Sequence, residues 1–305
     1  MGTERSQQRR FYRGKAKIYG YNLSSSRYNP TGTGNTERPT FSVTVAWHGI
    51  ERRQSYGVPF LLDESAHRIG VNQWIELDYE KTPHIIWSGR TGSGKTVAAK
   101  LLLARTILLA PEELQPVELT IIDPKEDIDF NFLKGLPRFY SGEAAPQGFR
   151  DFFDAYLQRK SGADTTHNLK ILFVDEFASL ISLIEDKKEK EATQRKLSLL
   201  LMLSRSRHFS VQLATQQPSA QLFGVAGSAS REQFGAVCLL GDSGSETQTM
   251  LFDGDSREHM KAFGSLGGRG VGWLALNGSM AQPVRVPMVG NMEKLNRVIM
   301  DNLAP

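Results

Sequence analysis

The chain has 305 residues, a formal net charge of +4 at pH 7, and apolar residues at 40% of its positions, which allows one large globular domain with a smaller one beside it. Its one long apolar stretch near helix length, Leu101–Ala110, is interrupted by Arg105 and is too short to span a bilayer. The single cysteine, Cys238, excludes an internal disulfide.

The N-terminal arm, residues 1–39, is polar and basic. Residues 1–40 contain eight basic and two acidic residues, so the rest of the chain carries a net charge of −2. Because Met1–Arg13 has no apolar core, it is not a secretory signal, and we expect a cytoplasmic location. The arm has the charge to attract nucleic acid or an anionic membrane surface. The Ser, Asn, Thr and Gly of residues 22–36 equally favour a solvated, disordered tail.

A small β region is predicted over residues 40–82. Phe41, Val43, Val45 and Trp47 alternate with less apolar residues, which is the period of a half-buried strand. The segments 54–62 and 73–79 are typical of further short strands. Two arrangements remain open: a separate antiparallel mini-sheet, or a β extension that flanks the following domain.

A glycine-rich loop lies between a short apolar strand, His84–Trp87, and an apolar helix, Val97–Leu109. The loop fits the phosphate-binding pattern G-x-x-x-x-G-K-[ST] without a mismatch. In such a loop, backbone N–H groups turn toward the phosphates and the helix N-terminus adds partial positive charge. Lys95 would reach the β- and γ-phosphates, and the Thr96 hydroxyl would bind Mg²⁺. A chance match of a glycine-rich turn is the alternative.

The predicted ligand is therefore ATP with Mg²⁺. The residues predicted to bind the nucleotide are Gly89, Arg90, Thr91, Gly92, Ser93, Gly94, Lys95, Thr96 and Val97.

From residue 83 onward, predicted strands and helices alternate, which indicates an α/β fold with a mainly parallel sheet. The segment Phe177–Arg207 is long for one helix and has a charged middle, so two helices with a solvated joint are predicted. A last helix is predicted at Asn291–Leu303. The predicted strands are His84–Trp87, Val117–Asp123, Leu169–Asp175, Ser210–Gln216, Ala236–Gly241, Gly272–Leu276 and Pro283–Val289.

Two carboxylates follow one of these buried strands. Asp175 lies at the carboxyl end of its strand, where doubly wound sheets place their ligands, and is predicted to hold Mg²⁺ together with Thr96. Glu176 is the candidate general base that polarises the attacking water. The pair thus predicts hydrolysis as well as binding. The alternative is a strand that ends in two solvated acids.

Four passages occur in order along the chain: Thr82-Pro83-His84 before the glycine loop, Ile121-Ile122-Asp123-Pro124-Lys125, Val174-Asp175-Glu176-Phe177-Ala178, and Leu213-Ala214-Thr215-Gln216-Gln217-Pro218-Ser219. In order and spacing they resemble the FtsK/SpoIIIE-HerA superfamily of hexameric DNA-pumping ATPases, which includes chromosome translocases and conjugative coupling proteins. The resemblance implies a RecA-like P-loop NTPase motor domain over residues 83–305, DNA as partner, and a homo-oligomer, expected to be a hexamer, with ATP between subunits.

The resemblance also implies roles for residues outside the two phosphate-site motifs. Gln216, at a strand end, would contact the γ-phosphate or the lytic water. Arg205 as first choice, or Arg207 as second, would reach the nucleotide of the neighbouring subunit, where a guanidinium offsets developing charge. Without the flanking motifs, each of these side chains is a solvated residue at the end of a helix or strand.

Further passages are candidates for the nucleotide pocket and the DNA path. Asp123 and Lys125 are expected to line the nucleotide or relay pocket, although an Asp-Pro-Lys passage is also an ordinary turn. The passage 267–270 resembles a family element close to the nucleotide. The glycine- and serine-rich segment 221–231 is either a pore loop that tracks a phosphate backbone or a mobile surface loop.

Two departures from the family bear on the pathway. No membrane-spanning helix is predicted, and no C-terminal module that reads oriented DNA sequences. The first is expected of a cytosolic member or of one that docks on a membrane partner. The compact size and the lack of a sequence-reading module favour DNA transfer by a conjugative plasmid or another mobile element over chromosome segregation, with a relaxase and a membrane-bound transfer or secretion channel as partners. A DNA-processing or packaging motor of the same fold stays open, as does an ATP-controlled adaptor that recruits a relaxase or channel. The presence of Glu176 favours turnover.

Overall fold

The computed structural model describes residues 57–216, residue 218 and residues 232–304. They belong to one compact unit that spans residues 56–305. The predicted arm over residues 1–39, the alternating segment 41–47 and the candidate pore loop 221–231 lie outside the described residues.

The described strands are β1 (Gly57–Asp63), β2 (Trp74–Asp78), β3 (Ile85–Ser88), β4 (Glu118–Asp123), β5 (Phe139–Ser141), β6 (Lys170–Asp175), β7 (Phe209–Thr215), β8 (Ala236–Leu240), β9 (Val271–Leu276) and β10 (Gln282–Arg285). The described α-helices are α1 (Glu64–Arg68), α2 (Lys95–Leu109), α3 (Ala145–Ser161), α4 (Phe177–Leu183), α5 (Lys187–Leu203), α6 (Ser245–Leu251), α7 (Gly254–Phe263) and α8 (Met292–Leu303). None of these helices is both long and apolar enough to cross a membrane.

The ten strands form one sheet in the order β2-β1-β10-β9-β8-β3-β7-β6-β4-β5. Neighbouring strands from β8 to β5 run parallel. Those from β2 to β8 run antiparallel and form a wing on one side. The predicted α/β fold with a large, mostly parallel sheet is confirmed.

Helices cover both faces of the sheet, and alternate residues of the central strands supply the two cores. In β3, Ile85 and Trp87 pack on one face, with residues of α2 and α8. Ile86 packs on the other face, with residues of α3, α4 and α5. Because both faces are buried, these central strands are almost continuously apolar in the sequence.

The sequence placed most strand bounds within one residue of those observed. The last predicted strand, Pro283–Val289, is wrong at its end: β10 stops at Arg285, and Pro287 shortly after it has no N–H to donate to a ladder. Strand β5 is short and was not predicted. Helix α2 starts at Lys95, two residues earlier than expected, so the loop lysine and threonine belong to its first turn. The segment from residue 177 contains two helices, α4 and α5, as predicted.

Strands β1 and β2 continue the main sheet. Leu62 and Asp63 of β1 pair with Arg285 and Val284 of β10. Strands β1 and β2 therefore form a β extension of the main sheet and not a separate mini-sheet. The division of the chain at residue 82 stays a prediction from the sequence.

Candidate nucleotide-binding site

The glycine-rich loop joins the end of β3 to the start of α2. Gly89, Gly92 and Gly94 have φ values of 144°, 79° and 102°, which residues with a side chain rarely adopt. At Gly89 a Cβ would also lie 2.3 Å from the carbonyl oxygen of Leu240. These positions therefore require glycine.

The start of α2 has the features of an anion site. Its N-cap residue, Gly94, provides no side-chain hydrogen bond, and the first turn contains no acidic residue. The first N–H groups of the helix are thus left for a ligand, and the helix dipole favours a negative charge there. The buried Ser93 hydroxyl also lacks a hydrogen-bond partner among the described residues. These features fit a bound triphosphate.

Lys95 is buried at the base of the loop, and its ammonium group is held by the loop itself. Its Nζ donates to the carbonyl oxygens of Gly89, at 2.5 Å, and Arg90, at 3.1 Å. Burial lowers the pKa of Lys95, and the nearby carboxylates of Asp175 and Glu176 oppose that shift. A phosphate would offer this ammonium a charged partner in place of two neutral carbonyls.

The other predicted nucleotide contacts surround this lysine. Arg90, Thr91 and Gly92 are exposed along the outer part of the loop, while Thr96 and Val97 are half-buried in the first turn of α2. Backbone N–H groups of such an exposed loop can turn toward a phosphate chain.

Asp175 ends β6, two strands from β3, with its side chain almost fully buried. Its pKa is raised to about 7, first by burial and then by the negative charges of Asp123 and Asp127, with Lys95 acting against them. A carboxylate placed among other carboxylates is stabilised in its charged form by a cation, and hard oxygen donors suit Mg²⁺. Asp175 and the Thr96 hydroxyl fit such an ion.

Glu176 follows directly and has a different environment. Its backbone is in the left-handed region, with φ 72°. Its Oε1 accepts a hydrogen bond from the Thr215 hydroxyl at 3.1 Å, and its Oε2 accepts one from the Gln216 backbone N–H at 3.0 Å. Lys125 Nζ lies 3.5 Å from the same Oε2. The carboxylate is thus held by donors at both oxygens.

Asp123, which ends the neighbouring strand β4, organises the turn that carries Lys125. Its carboxylate accepts hydrogen bonds from the backbone N–H groups of Lys125, at 3.2 Å, and Asp127, at 2.7 Å. Burial is the main cause that raises its pKa to about 6. The Asp-Pro-Lys passage is therefore a turn in which Asp123 is structural and Lys125 contacts the candidate base.

Gln216 and the glycine passage also lie beside the site. The Gln216 side chain is exposed at the end of β7, while its backbone N–H contacts Glu176. The Gly270 N–H donates to the Ser93 carbonyl at 2.9 Å, so the passage 267–270 contacts the phosphate-binding loop.

Arg205 and Arg207 are not brought to this site within the chain. Both are exposed in the turn Arg205–Arg207, which precedes β7. Because β7 runs parallel to β3, the start of β7 lies at the sheet edge opposite the phosphate-binding loop. Buried Arg159 holds this turn by donating to the Arg207 carbonyl at 2.9 Å.

The sequence analysis missed two residues that contact candidate site residues: Thr215, which contacts Glu176, and Arg159, which contacts the Arg207 carbonyl. Thr215 lies inside the Ala-Thr-Gln passage and could have been found as a hydroxyl next to the glutamine. Arg159 lies in the charged last turn of α3, and nothing in the sequence around it distinguishes it from a solvated arginine.

Residues 61–160 match the model of the FtsK/SpoIIIE family. No curated protein sequence matches the chain significantly. Among solved structures, the pCW3 conjugation coupling protein TcpA, in its monomer form with ATPγS, has a TM-score of 0.58 at 16% identity, over 83% of this chain and 72% of that one.

Two ATPases of other systems have the same fold. For the cytoplasmic domain of the type VII secretion ATPase EccC from Thermomonospora curvata, the TM-score is 0.56 at 16% identity, over 78% of this chain and 27% of that one. For ATPases 2 and 3 of EssC from Geobacillus thermodenitrificans, it is 0.58 at 13% identity, over 87% and 52%. This chain thus spans only a quarter to a half of the length of these two structures. The resemblance to FtsK/SpoIIIE-type ATPases with a RecA-like core is confirmed.

Proposed function

We propose that this FtsK/SpoIIIE-type P-loop ATPase is a DNA translocase that acts as a coupling protein and pumps DNA, for conjugative transfer of a plasmid or another mobile element. The observation that carries the proposal is the placement of Asp175 and Glu176 at strand ends beside the phosphate-binding loop, with Lys95 between loop and carboxylates. This arrangement supports ATP hydrolysis as well as ATP binding.

Each part of the site has a proposed role. The backbone N–H groups of residues 89–96 and the ammonium of Lys95 bind the phosphates of ATP. Thr96 and Asp175 hold Mg²⁺, which when bound neutralises charge on the phosphates. Glu176 takes a proton from the attacking water, and the Gln216 side chain contacts the γ-phosphate or that water.

The remaining roles need a second copy of the chain. Arg205, or Arg207, completes the site of a neighbouring subunit. The position of both arginines at the sheet edge opposite the phosphate-binding loop supports this role. We propose a homo-oligomer, a hexamer, whose motor domain covers residues 83–305, with the β region 40–82 and the basic arm 1–39 before it. A relaxase and a membrane-bound transfer or secretion channel are the proposed partners.

The test is steady-state ATP hydrolysis by the wild type and by Glu176→Gln, each without DNA, with linear duplex and with single strands. The amide keeps the size of the carboxylate and cannot take a proton, so we expect kcat to fall about 10²- to 10⁴-fold. Stimulation of the wild type by one form of DNA identifies the substrate, and this stimulation should weaken as salt rises, because phosphate contacts release counterions.

A matched control is Glu189→Gln, which neutralises an exposed glutamate that pairs with Arg150 at 2.7 Å, on helices away from the glycine loop. This variant should hydrolyse ATP like the wild type. Wild-type turnover that ignores both forms of DNA would contradict the translocase.

One observation favours a second candidate function. Each oxygen of Glu176 already accepts a hydrogen bond from the protein, so fewer of its lone pairs are left to accept a proton from water than in a free carboxylate. An ATP-controlled adaptor that recruits a relaxase or a secretion channel would have such a site. It predicts tight ATP binding, slow hydrolysis and equal behaviour of the wild type and Glu176→Gln. A packaging or DNA-processing motor of the same fold would instead behave like the translocase in this assay.

A further inference from the structure

The end of β7 holds the candidate base through three contacts. The Thr215 hydroxyl donates to Glu176 Oε1 at 3.1 Å, and the Gln216 N–H donates to Oε2 at 3.0 Å. The Glu176 N–H in turn donates to the Ala214 carbonyl at 3.2 Å. Main chain and side chain of Glu176 are thus both attached to residues 214–216.

These contacts act on a residue with an unfavourable backbone. Glu176 has φ 72°, a conformation that persists in a residue with a side chain only where surrounding structure holds it. The residue Glu176 is 8% exposed, and Thr215 is 2% exposed. A buried carboxylate loses more when a donor is removed than an exposed one does, because water does not replace the donor.

Three donors lie beside the Glu176 carboxylate: the Thr215 hydroxyl, the Gln216 backbone N–H and the Lys125 ammonium. They differ in how strongly they can fix its orientation. Lys125 is 39% exposed at its side chain and lies 3.5 Å away, so solvent weakens its pull on Glu176. The Gln216 donor is a backbone group that any residue would supply. The Thr215 hydroxyl is the one buried side-chain donor among them, and it fixes Oε1 from one direction.

We propose that Thr215 is a positioning residue for ATP hydrolysis: its hydroxyl orients the Glu176 carboxylate toward the water that attacks the γ-phosphate. The inference rests on the proposed role of Glu176 as general base. Thr215 acts through Glu176 and not on ATP, so its loss should slow the chemical step and leave nucleotide affinity unchanged.

The experiment compares Thr215→Val, which removes the hydroxyl at nearly constant shape, with Thr215→Ser, which keeps it. For Thr215→Val we expect kcat for ATP hydrolysis to fall about 10- to 100-fold, the loss of one hydrogen bond to a charged group. KM and the Kd for ATPγS should stay at wild-type values. Thr215→Ser should recover most of kcat.

Thr106→Val is the matched control. Thr106 is fully buried in α2. Its hydroxyl donates to the Leu102 carbonyl at 2.8 Å and is hydrogen-bonded to the Tyr79 hydroxyl at 2.9 Å, and neither partner contacts Glu176. This variant loses a buried hydroxyl as well, and it should keep the wild-type kcat. If Thr215→Val does not fold, Thr215→Cys, whose thiol is a weak donor, is measured by the same criteria.

Loss of kcat in Thr215→Val with recovery in Thr215→Ser supports the proposal. An unchanged kcat in Thr215→Val, an equal loss in Thr215→Ser, or a change confined to KM and Kd would overturn it. The proposed function has a separate test: it fails if the wild type and Glu176→Gln hydrolyse ATP at the same rate. A large difference between those two, together with a fully active Thr215→Val, refutes only the role of Thr215.

Discussion

Two adjacent carboxylates, Asp175 and Glu176, have opposite electrostatic environments. Asp175 faces Asp123 and Asp127, and its pKa is raised to about 7 by burial and by these charges. Glu176 is surrounded by the donors Thr215, Gln216 and Lys125. Environments that differ in this way separate the roles of neighbouring acids. Asp175 is thus suited to binding a cation, and Glu176 is held in a fixed orientation.

The raised pKa of Asp175 predicts how stability depends on pH in the nucleotide-free protein. The folded state binds this proton more tightly than the unfolded state, whose value is near 3.8. The contribution of this bound proton to the folding stability is therefore fully present below about pH 4 and is lost as pH rises through about 7. Asp175→Asn does not titrate, so the variant should be more stable than the wild type at pH 8, by about 2–4 kcal/mol, and this difference should shrink toward pH 5.

Thermal melting without nucleotide, at pH 5 and pH 8, checks this prediction. Asp154→Asn, a change at an exposed position on α3, serves as the control and should show no such trend. A variant Asp175→Asn that melts at or below the wild-type temperature at pH 8 would contradict the environment described for Asp175.

At the scale of the elements, β7 is the part that connects the two proposed functional ends. Its seven residues span about 23 Å. The turn with Arg205 and Arg207 precedes it, and Thr215 and Gln216 at its other end bind Glu176. Buried Arg159 holds the arginine turn through the Arg207 carbonyl. The fully buried strand β7 thus connects the arginine turn, which is proposed to contact a neighbouring subunit, with the candidate base.

Within the antiparallel wing, a buried ion pair joins α1 to β10, beside the strand pairing of β1 with β10. Glu64 of α1 is 2% exposed and accepts from Arg285 Nε of β10 at 2.7 Å and from Arg68 Nε at 3.0 Å. Burial alone would raise the pKa of Glu64, but the hydrogen bonds from Arg285 and Arg68 outweigh it and hold the pKa below its usual value. The ion pair therefore stabilises the fold above about pH 4.5 and loses strength as pH falls.

Glu64→Gln should lower the free energy of unfolding by about 1.5–3 kcal/mol at pH 7, since it weakens charged hydrogen bonds in a buried place. Urea unfolding at pH 7 and pH 4 measures the effect, and the difference from the wild type should be smaller at pH 4. Glu80→Gln, at an exposed position between β2 and β3, should change little. Equal stability of Glu64→Gln and the wild type at pH 7 would show that strand pairing alone holds β1 and α1 to β10.

At the scale of the whole molecule, candidate functional residues lie at two opposite edges of the parallel sheet. The phosphate-binding loop, Asp175 and Glu176 follow the carboxyl ends of their strands, and the arginine turn lies at the opposite edge. One chain cannot bring an arginine of that turn to its own loop without rearranging the sheet. A role for Arg205 or Arg207 in hydrolysis therefore requires a second copy.

This geometry predicts complementation between two inactive variants. Lys95→Ala removes the phosphate ligand and keeps both arginines; the double variant Arg205→Ala and Arg207→Ala keeps the loop. Each alone should have little ATPase activity, and a mixture should recover part of it, because some interfaces then combine an intact loop with an intact arginine. ATP hydrolysis after mixing in different ratios is the measurement. A mixture no more active than the sum of its parts, although the variants co-assemble, would contradict a trans arginine.

Local patterns in the sequence determined the fold class and most of the candidate site. The apolar runs of β3 and β6 were readable because strands buried on both faces are mostly apolar, whereas Ser210 and Gln212 interrupt the run in β7. Gly89–Thr96 was readable because its glycines and lysine have fixed spacing. Asp175 and Glu176 were readable because polar residues at the end of an apolar run mark the carboxyl end of a strand.

Only the tertiary structure decided which groups meet across long separations. The contact of Thr215 with Glu176, the hold of Arg159 on the Arg207 carbonyl, and the continuation of the sheet into β1 and β2 each depend on strand order. Strand order is set by how helices pack on the two faces and is not written in any one window of sequence. Spacing along the chain therefore predicted the residues of the phosphate site, while the partners that orient Glu176 and separate the arginines from it came from pairing between distant strands.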